Sequence, residues 1–187
     1  PVIEEAETAA RQIAALGLDP ADVRDVAVTH LDPDHAGGLG DFPGARVHVF
    51  APELEAAKDP PLRERTRYRS AQWAHGPDWQ QHEVDGDTWF GFESVRLLPE
   101  LDVEVAMVPL LRHTAGHTGI AGREDGNWLL HCGDAYFHRG EVLTPPSCPR
   151  GLRVFQKLNE HDGKARVRNQ ERLRELARDH GDEVRLI

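Results

Sequence analysis

The chain is poor in three features that would direct it to particular classes of protein: cysteine, long apolar runs and positive charge. Its 187 residues include two cysteines, too few for the disulfide framework of a small secreted domain, so we expect a cytoplasmic protein. No apolar run approaches the length of a membrane span, so no membrane partner is expected. Lysine and arginine total 22 against 32 aspartate and glutamate residues, a formal net charge of −10. Because nucleic-acid binders concentrate positive charge, no nucleic-acid partner is expected either.

Length and composition indicate one globular domain over residues 1–187. Hydrophobic residues make up 39% of the chain, which is enough for a packed core but cramped for two independent domains. Residues 59–92 differ in character and are interpreted as an irregular insertion, a lid or a substrate-facing segment. This segment carries four alternating arginines, for which a solvated face and a subsite for an anionic substrate both remain open: Arg63, Arg65, Arg67 and Arg69.

Apolar spacing predicts a mixture of helices and strands. The opening pattern over residues 3–14 has helical period, and a short helix is expected at 52–57. Strands are predicted at 26–29, 46–50, 95–98, 103–108, 119–122 and 128–131. A charged helix around 169–178 and a strand that begins at 184 complete the pattern, which indicates a mixed α/β (α+β) fold.

The densest group of potential metal ligands directly follows the first predicted strand. His30, Asp32, Asp34 and His35 fall within six residues. Imidazole and carboxylate are the usual ligands of catalytic zinc and of harder divalent metals. So many of them in one turn are costly unless a cation offsets their desolvation and mutual repulsion. A turn that merely caps a helix needs one such side chain, so this turn predicts one wall of a metal site.

Two further polar turns follow predicted strands later in the chain. Residues 113–117 read His-Thr-Ala-Gly-His, and residues 133–134 read Gly-Asp. Taken alone, each fragment is common in proteins. Because a strand precedes each of the three turns, three strand ends could converge on one point, and together they predict a single site.

These three motifs resemble those of the metallo-β-lactamase fold superfamily of metallohydrolases. They read Thr-His-x-Asp-x-Asp-His-x-Gly-Gly, an HxDxDH variant, then His-Thr-x-Gly-His, then Gly-Asp-Ala. The resemblance runs in order along most of the chain and implies an αββα sandwich. It also implies one or two divalent metal ions at the edge of the paired sheets, with zinc expected first and manganese or iron as alternatives.

The resemblance implies a role for each candidate residue. It assigns the first metal to His30, Asp32 and His113, the second to Asp34 and His35, and a bridging position to Asp134. Asp34 or Asp134 would orient the nucleophile and take its proton. His117 matches a motif histidine that usually supports the site rather than binding metal.

The chain departs from the family pattern in three ways. Asp32 stands where the family usually has histidine, and a carboxylate there should weaken the preference for zinc relative to manganese or iron. Arg112 stands where glycine is usual, and it could reach a substrate carboxylate or face solvent. The N-terminal strands and the last histidine-bearing strand of the family have no counterpart, so the sandwich is expected to be incomplete at both ends.

The expected function is hydrolysis of an ester, lactone or thioester bond in a small molecule by metal-bound hydroxide. Two alternatives remain open. One is a non-catalytic or metal-poor binding or regulatory module on the same fold, and the other is an iron-dependent oxygenase on the same scaffold. The oligomeric state is not predicted.

Overall fold

The computed structural model describes residues 4–84, 86, 88–93, 95–97, 104–111, 113–159 and 162–187. Arg112, for which two interpretations were open, lies outside these ranges. So do Leu98 and Val103, at the ends of two predicted strands. No helix within the described ranges is long and apolar enough to cross a membrane.

The described ranges contain five α-helices and ten strands. The α-helices are α1 (Ala9–Ala15), α2 (Pro33–Ala36), α3 (Ala51–Lys58), α4 (Arg150–Asn159) and α5 (Gly163–Asp179). The strands are β1 (Asp25–Ala27), β2 (Arg46–Phe50), β3 (Asp78–His82), β4 (Thr88–Trp89), β5 (Phe92–Glu93), β6 (Val95–Leu97), β7 (Val105–Pro109), β8 (Thr118–Glu124), β9 (Asn127–His131) and β10 (Val184–Leu186). Short 3-10 helices span Glu5–Glu7, Pro20–Asp22, Leu39–Asp41, Leu62–Glu64, Ser70–Trp73, Gly133–Ala135 and Arg139–Val142.

Most of the strands belong to two sheets. The first sheet has the order β1-β2-β3 with all strands parallel, and Val26 lies beside Val47. The second has the order β10-β9-β8-β7-β6, in which β10 is parallel to β9 and the other neighbours are antiparallel. Strands β4 and β5 form a separate antiparallel pair.

The two sheets pack face to face, and helices cover their outer faces. Phe50 of the first sheet and Met107 of the second are buried together between the sheets. On the outer face of the first sheet, Leu54 of α3 belongs to one apolar cluster with β2. On the other side, Leu173 and Leu176 of α5 pack with the second sheet. This helix–sheet–sheet–helix order confirms the αββα sandwich.

The segment 59–92 contributes directly to the first sheet. Strand β3 lies inside it and pairs in parallel with all of β2. Trp73 and Trp79 pack against the apolar cluster of the first sheet. This part of the segment is therefore regular structure, and a role of the remainder as a lid stays a prediction.

Candidate metal centre

Three loops at one edge of the sandwich bring candidate ligands together. The loop after β1 holds His30 and Asp32, the loop after β7 holds His113, and the loop after β9 holds Asp134. The ligand atoms of these four residues all lie within 4.8 Å of one another. The three strand ends thus converge as the sequence predicts, and the group could hold a metal ion.

The carboxylate of Asp32 lies between two imidazole rings. Its Oδ2 atom is 3.0 Å from Nε2 of His113 and 3.4 Å from Nε2 of His30. Nδ1 of His30 lies 3.0 Å from Oγ1 of Thr29. Nε2 of His30 is buried and has no hydrogen-bond partner among the described residues. A buried, unsatisfied nitrogen beside a carboxylate fits a bound cation, since buried polar atoms rarely lack a partner.

Asp134 connects this group to His35, which lies in the short helix α2. Oδ2 of Asp134 is 3.2 Å from Nε2 of His113, and Oδ1 is 3.3 Å from Nε2 of His35. The rings of His35 and His30 have centroids 4.1 Å apart. Asp34 lies at the rim, with its side chain 80% exposed and Oδ2 3.8 Å from Nε2 of His35. The structure therefore brings five of the six candidate ligands into contact and leaves Asp34 facing solvent.

The side chain of His117 supports the third loop, after β9, by contacting backbone atoms. Nδ1 of His117 lies 3.0 Å from the carbonyl oxygen of Leu110, and Nε2 accepts the backbone N–H of Asp134 at 2.9 Å. These partners assign the hydrogen of the neutral ring to Nδ1. Burial lowers the pKa of His117 well below its ordinary value. A Cβ at Gly133, where φ is +53°, would approach Nε2 of His117 to 2.6 Å, so this turn requires glycine.

Burial and mutual contacts set the charge of the candidate ligands. Burial lowers the pKa of His30, which favours the neutral ring. Burial alone would raise the pKa of Asp32, but its hydrogen bond with His113 and its close contact with His30 outweigh burial and lower it. Burial would also raise the pKa of Asp134, but the contact with His35 lowers it. Ionised carboxylates and a neutral imidazole are the forms that bind metal.

Comparison with known proteins places this site in a family. The sequence profile of the metallo-beta-lactamase superfamily matches residues 1–183. The chain belongs to the metallo-β-lactamase superfamily.

Several known proteins resemble the chain over most of its length. A "Probable metallo-hydrolase" of Mycobacterium tuberculosis is 43% identical over 188 residues, which cover 100% of this chain and 61% of the relative. An N-acyl homoserine lactonase of Azorhizobium caulinodans is 47% identical over 166 residues, 84% of this chain and 60% of the relative. The AiiA protein of B. thuringiensis, solved as a mutant with N-decanoyl-L-homoserine at its active site, shares the fold with a TM-score of 0.71 at 19% identity. That match covers 100% of this chain and 64% of the solved one. The chain thus spans less than two thirds of the length of these relatives.

The buried carboxylate of Glu53, which the sequence analysis did not single out, connects the first loop, after β1, with the second loop, after β7. Oε1 of Glu53, in α3, accepts the backbone N–H of Leu31 at 2.9 Å. Oε2 accepts the hydroxyl of Thr114 at 2.6 Å and the backbone N–H of Gly116 at 2.9 Å. A Cβ at Gly116 would overlap the backbone of Glu53, so the second loop approaches α3 as closely as glycine permits. In sequence, nothing distinguishes Glu53 from the exposed Glu55 two positions later.

Arg67, from the segment 59–92, is the second residue that sequence reasoning did not place at the site. Its Nε lies 3.3 Å from Oδ1 of Asp32, and its Nη1 donates to the backbone carbonyl of His113 at 2.8 Å. Arg65 and Arg69 are exposed, as expected of a solvated face. Arg67 instead contacts two candidate ligands of the metallo-β-lactamase centre.

The cysteine before the third loop is packed inside the protein. Cys132 is fully buried within the apolar cluster of the second sheet. Burial raises the pKa of its thiol to about 12. Because the thiolate is the reactive form, the protonated thiol of Cys132 is unsuited to nucleophilic attack at neutral pH.

Proposed function

We propose that the chain carries the metal centre of a hydrolase that opens lactones or cleaves related ester or thioester bonds in small molecules. The main support is the convergence of His30, Asp32, His113 and Asp134, with their ligand atoms within 4.8 Å of one another. Similarity to the lactonase of Azorhizobium caulinodans supports a lactone as the first substrate to test. The two cysteines keep the cytoplasm as the proposed compartment.

The proposed centre holds one or two divalent ions, zinc first and manganese or iron as alternatives. We assign His30, Asp32 and His113 to the first ion, Asp34 and His35 to the second, and Asp134 to both. Support for the bridging position comes from Asp134 itself, because its two oxygens contact different histidines. Asp34 is supported by its place beside His35 at the rim.

The catalytic roles follow from the position and charge of two aspartates. A bound divalent cation would supply Lewis acidity, lowering the pKa of a coordinated water and polarising the substrate carbonyl. Asp134, whose pKa is lowered by His35 against the effect of burial, would orient the attacking water and accept its proton. His117 holds Asp134 in place through the backbone N–H. Asp34, at the solvent-exposed rim, is the second candidate for passing that proton on.

An apolar surface that begins beside His113 supports a substrate with a hydrocarbon portion. The ring of Phe137 lies with its centroid 5.7 Å from that of His113, and the centroid of Phe155 lies 5.7 Å from that of Phe137. Phe155 and its neighbour Val154 in α4 are more than half exposed. A substrate that joins a lactone or ester carbonyl to an apolar chain would match both parts of this surface.

The carboxylate of Asp32 gives one alternative a specific basis. Two imidazoles and two carboxylates form a harder set of ligands than three imidazoles and one carboxylate, and such a set suits iron and manganese better. An iron-dependent oxygenase on the same scaffold is therefore the second candidate function.

Metal analysis combined with a substrate assay tests these proposals. We expect protein purified without added metal or an affinity tag to contain near-stoichiometric zinc, manganese or iron by plasma mass spectrometry, and to hydrolyse acyl lactones. Dioxygen consumption with iron, in the absence of hydrolysis, would favour the oxygenase. Protein that holds no metal and cannot be reloaded would favour a binding module.

Asp34→Ala combined with His35→Ala tests the second group of ligands. This variant should lose the ion assigned to Asp34 and His35, together with lactone hydrolysis, while it keeps its far-UV circular dichroism spectrum. Asp41→Ala, at an exposed aspartate outside the site, is the matched control and should keep both. Unchanged metal stoichiometry in the double variant would refute the assignment of Asp34 and His35.

A further inference from the structure

Asp32 adds a negative charge at a buried position where the metallo-β-lactamase pattern usually has a neutral histidine. Its side chain is 12% exposed, and Asp134 supplies a second carboxylate nearby. A buried carboxylate is costly unless it is paired and hydrogen-bonded. A carboxylate at this position, in place of an imidazole, therefore requires a nearby group that offsets its negative charge.

Arg67 lies where such a group is required. Its side chain is 15% exposed, and its Nε is 3.3 Å from Oδ1 of Asp32. The other oxygen of Asp32, Oδ2, is the atom that faces the imidazole nitrogens of His30 and His113. The two oxygens of Asp32 thus face different groups: Oδ1 faces Arg67, and Oδ2 faces the candidate ligands.

The same guanidinium also contacts the second loop. Nη1 of Arg67 donates to the backbone carbonyl of His113 at 2.8 Å. One planar group therefore holds the side chain of Asp32 and the backbone of His113, which lie 81 positions apart in the chain. The contact with Oδ1 of Asp32 is an ion pair, because that oxygen has no hydrogen-bond partner among the described residues. A lysine carries the same charge but lacks the planar group that reaches both the carboxylate and the backbone carbonyl.

We infer that Arg67 is a positioning residue of the metal centre. It fixes Asp32 so that one oxygen alone is presented to the metal, and it cancels the charge that the carboxylate adds. The Asp32–Arg67 pair is neutral overall and takes the place of one neutral histidine in the usual pattern. This inference rests on the proposed function only in that the centre binds a metal.

Metal affinity measured without reference to catalysis tests the inference. Dissociation constants for zinc and manganese are determined by competition with a chromophoric chelator for the wild type, Arg67→Gln, Arg67→Lys and Arg69→Gln. Arg67→Gln should weaken binding by about 10–100-fold, the usual effect of losing a residue that orients a ligand. Arg67→Lys should recover little of this loss, because charge alone does not hold both loops. The exposed Arg69→Gln is the matched control and should bind as the wild type does.

Measuring Arg67→Gln in the Asp32→His variant as well shows whether Arg67 acts through Asp32 or through a general effect on folding. With a neutral imidazole at position 32, Arg67→Gln should weaken metal binding much less than it does in the wild type, because only the contact with the backbone of His113 is then lost. An equal loss in both backgrounds would overturn the inference, as would tighter metal binding by Arg67→Gln. If Arg67→Gln alone does not fold, the double variant should fold and bind metal, and its failure to do so would also overturn the inference.

The outcomes for the inference and for the proposed function can be told apart. Wild-type protein that binds metal but hydrolyses no lactone, ester or thioester contradicts the proposed hydrolase and leaves the role of Arg67 standing. Wild-type protein that binds metal, with affinity unchanged in Arg67→Gln, contradicts the role of Arg67 and leaves the hydrolase standing. Wild-type protein that binds no metal overturns both.

Discussion

Glu53 contacts both loops that carry the first group of candidate ligands, although it belongs to neither. Its carboxylate accepts hydrogen bonds from Leu31, Thr114 and Gly116. A carboxylate is the one side chain of this length that offers two acceptor oxygens and no competing donor. The spacing of the two loops therefore depends on the charge and shape of this one buried group.

Replacing Glu53 with glutamine should destabilise the protein. The amide keeps the length of the side chain but turns one acceptor into a donor, so at least one buried N–H or O–H group loses its partner. We expect the free energy of unfolding to fall by about 1–3 kcal/mol, measured by urea denaturation. Glu55→Gln, on an exposed side chain of the same helix, should change it by about 0.5 kcal/mol or less. Equal effects of the two substitutions would show that Glu53 does not hold the loops.

The metal-ligand types at the site could be predicted from the sequence, but the residues that position them could not. His30, Asp32, His113 and Asp134 belong to short motifs of potential ligands, each after a strand, and such a local pattern is visible in sequence. Glu53 acts on partners 22, 61 and 63 positions away. Because its role exists only through contacts formed on folding, no local pattern marks it.

At the scale of elements, several strands and helices agree with the sequence prediction, but the helix expected over residues 3–14 is a 3-10 helix at Glu5–Glu7 followed by α1 at Ala9–Ala15. The strand expected at 46–50 is β2, and the helix expected at 52–57 is α3, one residue longer at each end. Strand β3 was not predicted, because its sequence Asp-Trp-Gln-Gln-His lacks an apolar alternation and its strand conformation depends on pairing with β2. Helix α4 was also not predicted, although its apolar residues Leu152, Phe155 and Leu158 recur at helical spacing, and in the structure Leu158 is 79% exposed.

A chain of hydrogen-bonding groups crosses the first sheet. Nε2 of His82 in β3 lies 2.9 Å from Nδ1 of His48 in β2, and Nε2 of His48 lies 2.9 Å from Oδ1 of Asp25 in β1. Burial and the neighbouring His48 lower the pKa of His82. Protonation of His82 is therefore less favourable in the folded chain than in the unfolded one.

Stability should consequently decline as the pH falls below about 6.5, the ordinary pKa of histidine. Between that value and the lowered pKa of folded His82, the unfolded chain binds more protons, so stability rises with pH through this range and is lost on acidification. His82→Gln should flatten this part of the curve, measured as the free energy of unfolding in urea at successive pH values. The exposed His75→Gln should leave the slope as it is in the wild type. A slope unchanged by His82→Gln would contradict the role of His82.

At the scale of the whole molecule, the αββα sandwich was predicted by the family resemblance rather than by periodicity. Strand positions alone do not show that β10, near the end of the chain, pairs with β9 rather than at another edge. Such pairings join distant segments, and many topologies satisfy the same local pattern. The sandwich brings three loops from both sheets to one edge, so a metal bound there connects the two halves of the molecule.

Metal binding should therefore stabilise the whole fold. A ligand that binds the folded state alone adds about 2.7 kcal/mol at a free concentration 100 times its dissociation constant. We expect zinc or manganese to raise the unfolding temperature of chelator-treated protein, followed by circular dichroism. Asp134→Asn should remove most of this increase, and Asp41→Ala should preserve it. A melting temperature that does not respond to metal in the wild type would exclude a site formed by the folded loops.

The contact between Arg67 and Asp32 also restricts how this protein could have evolved. A single change of Asp32 to histidine would leave a buried guanidinium without its carboxylate, and a single change of Arg67 would leave a buried carboxylate without its cation. Each single change should therefore lower the stability of the fold, and the two positions are expected to change together. Among relatives, an aspartate at the first position and an arginine at the second should be inherited as a pair.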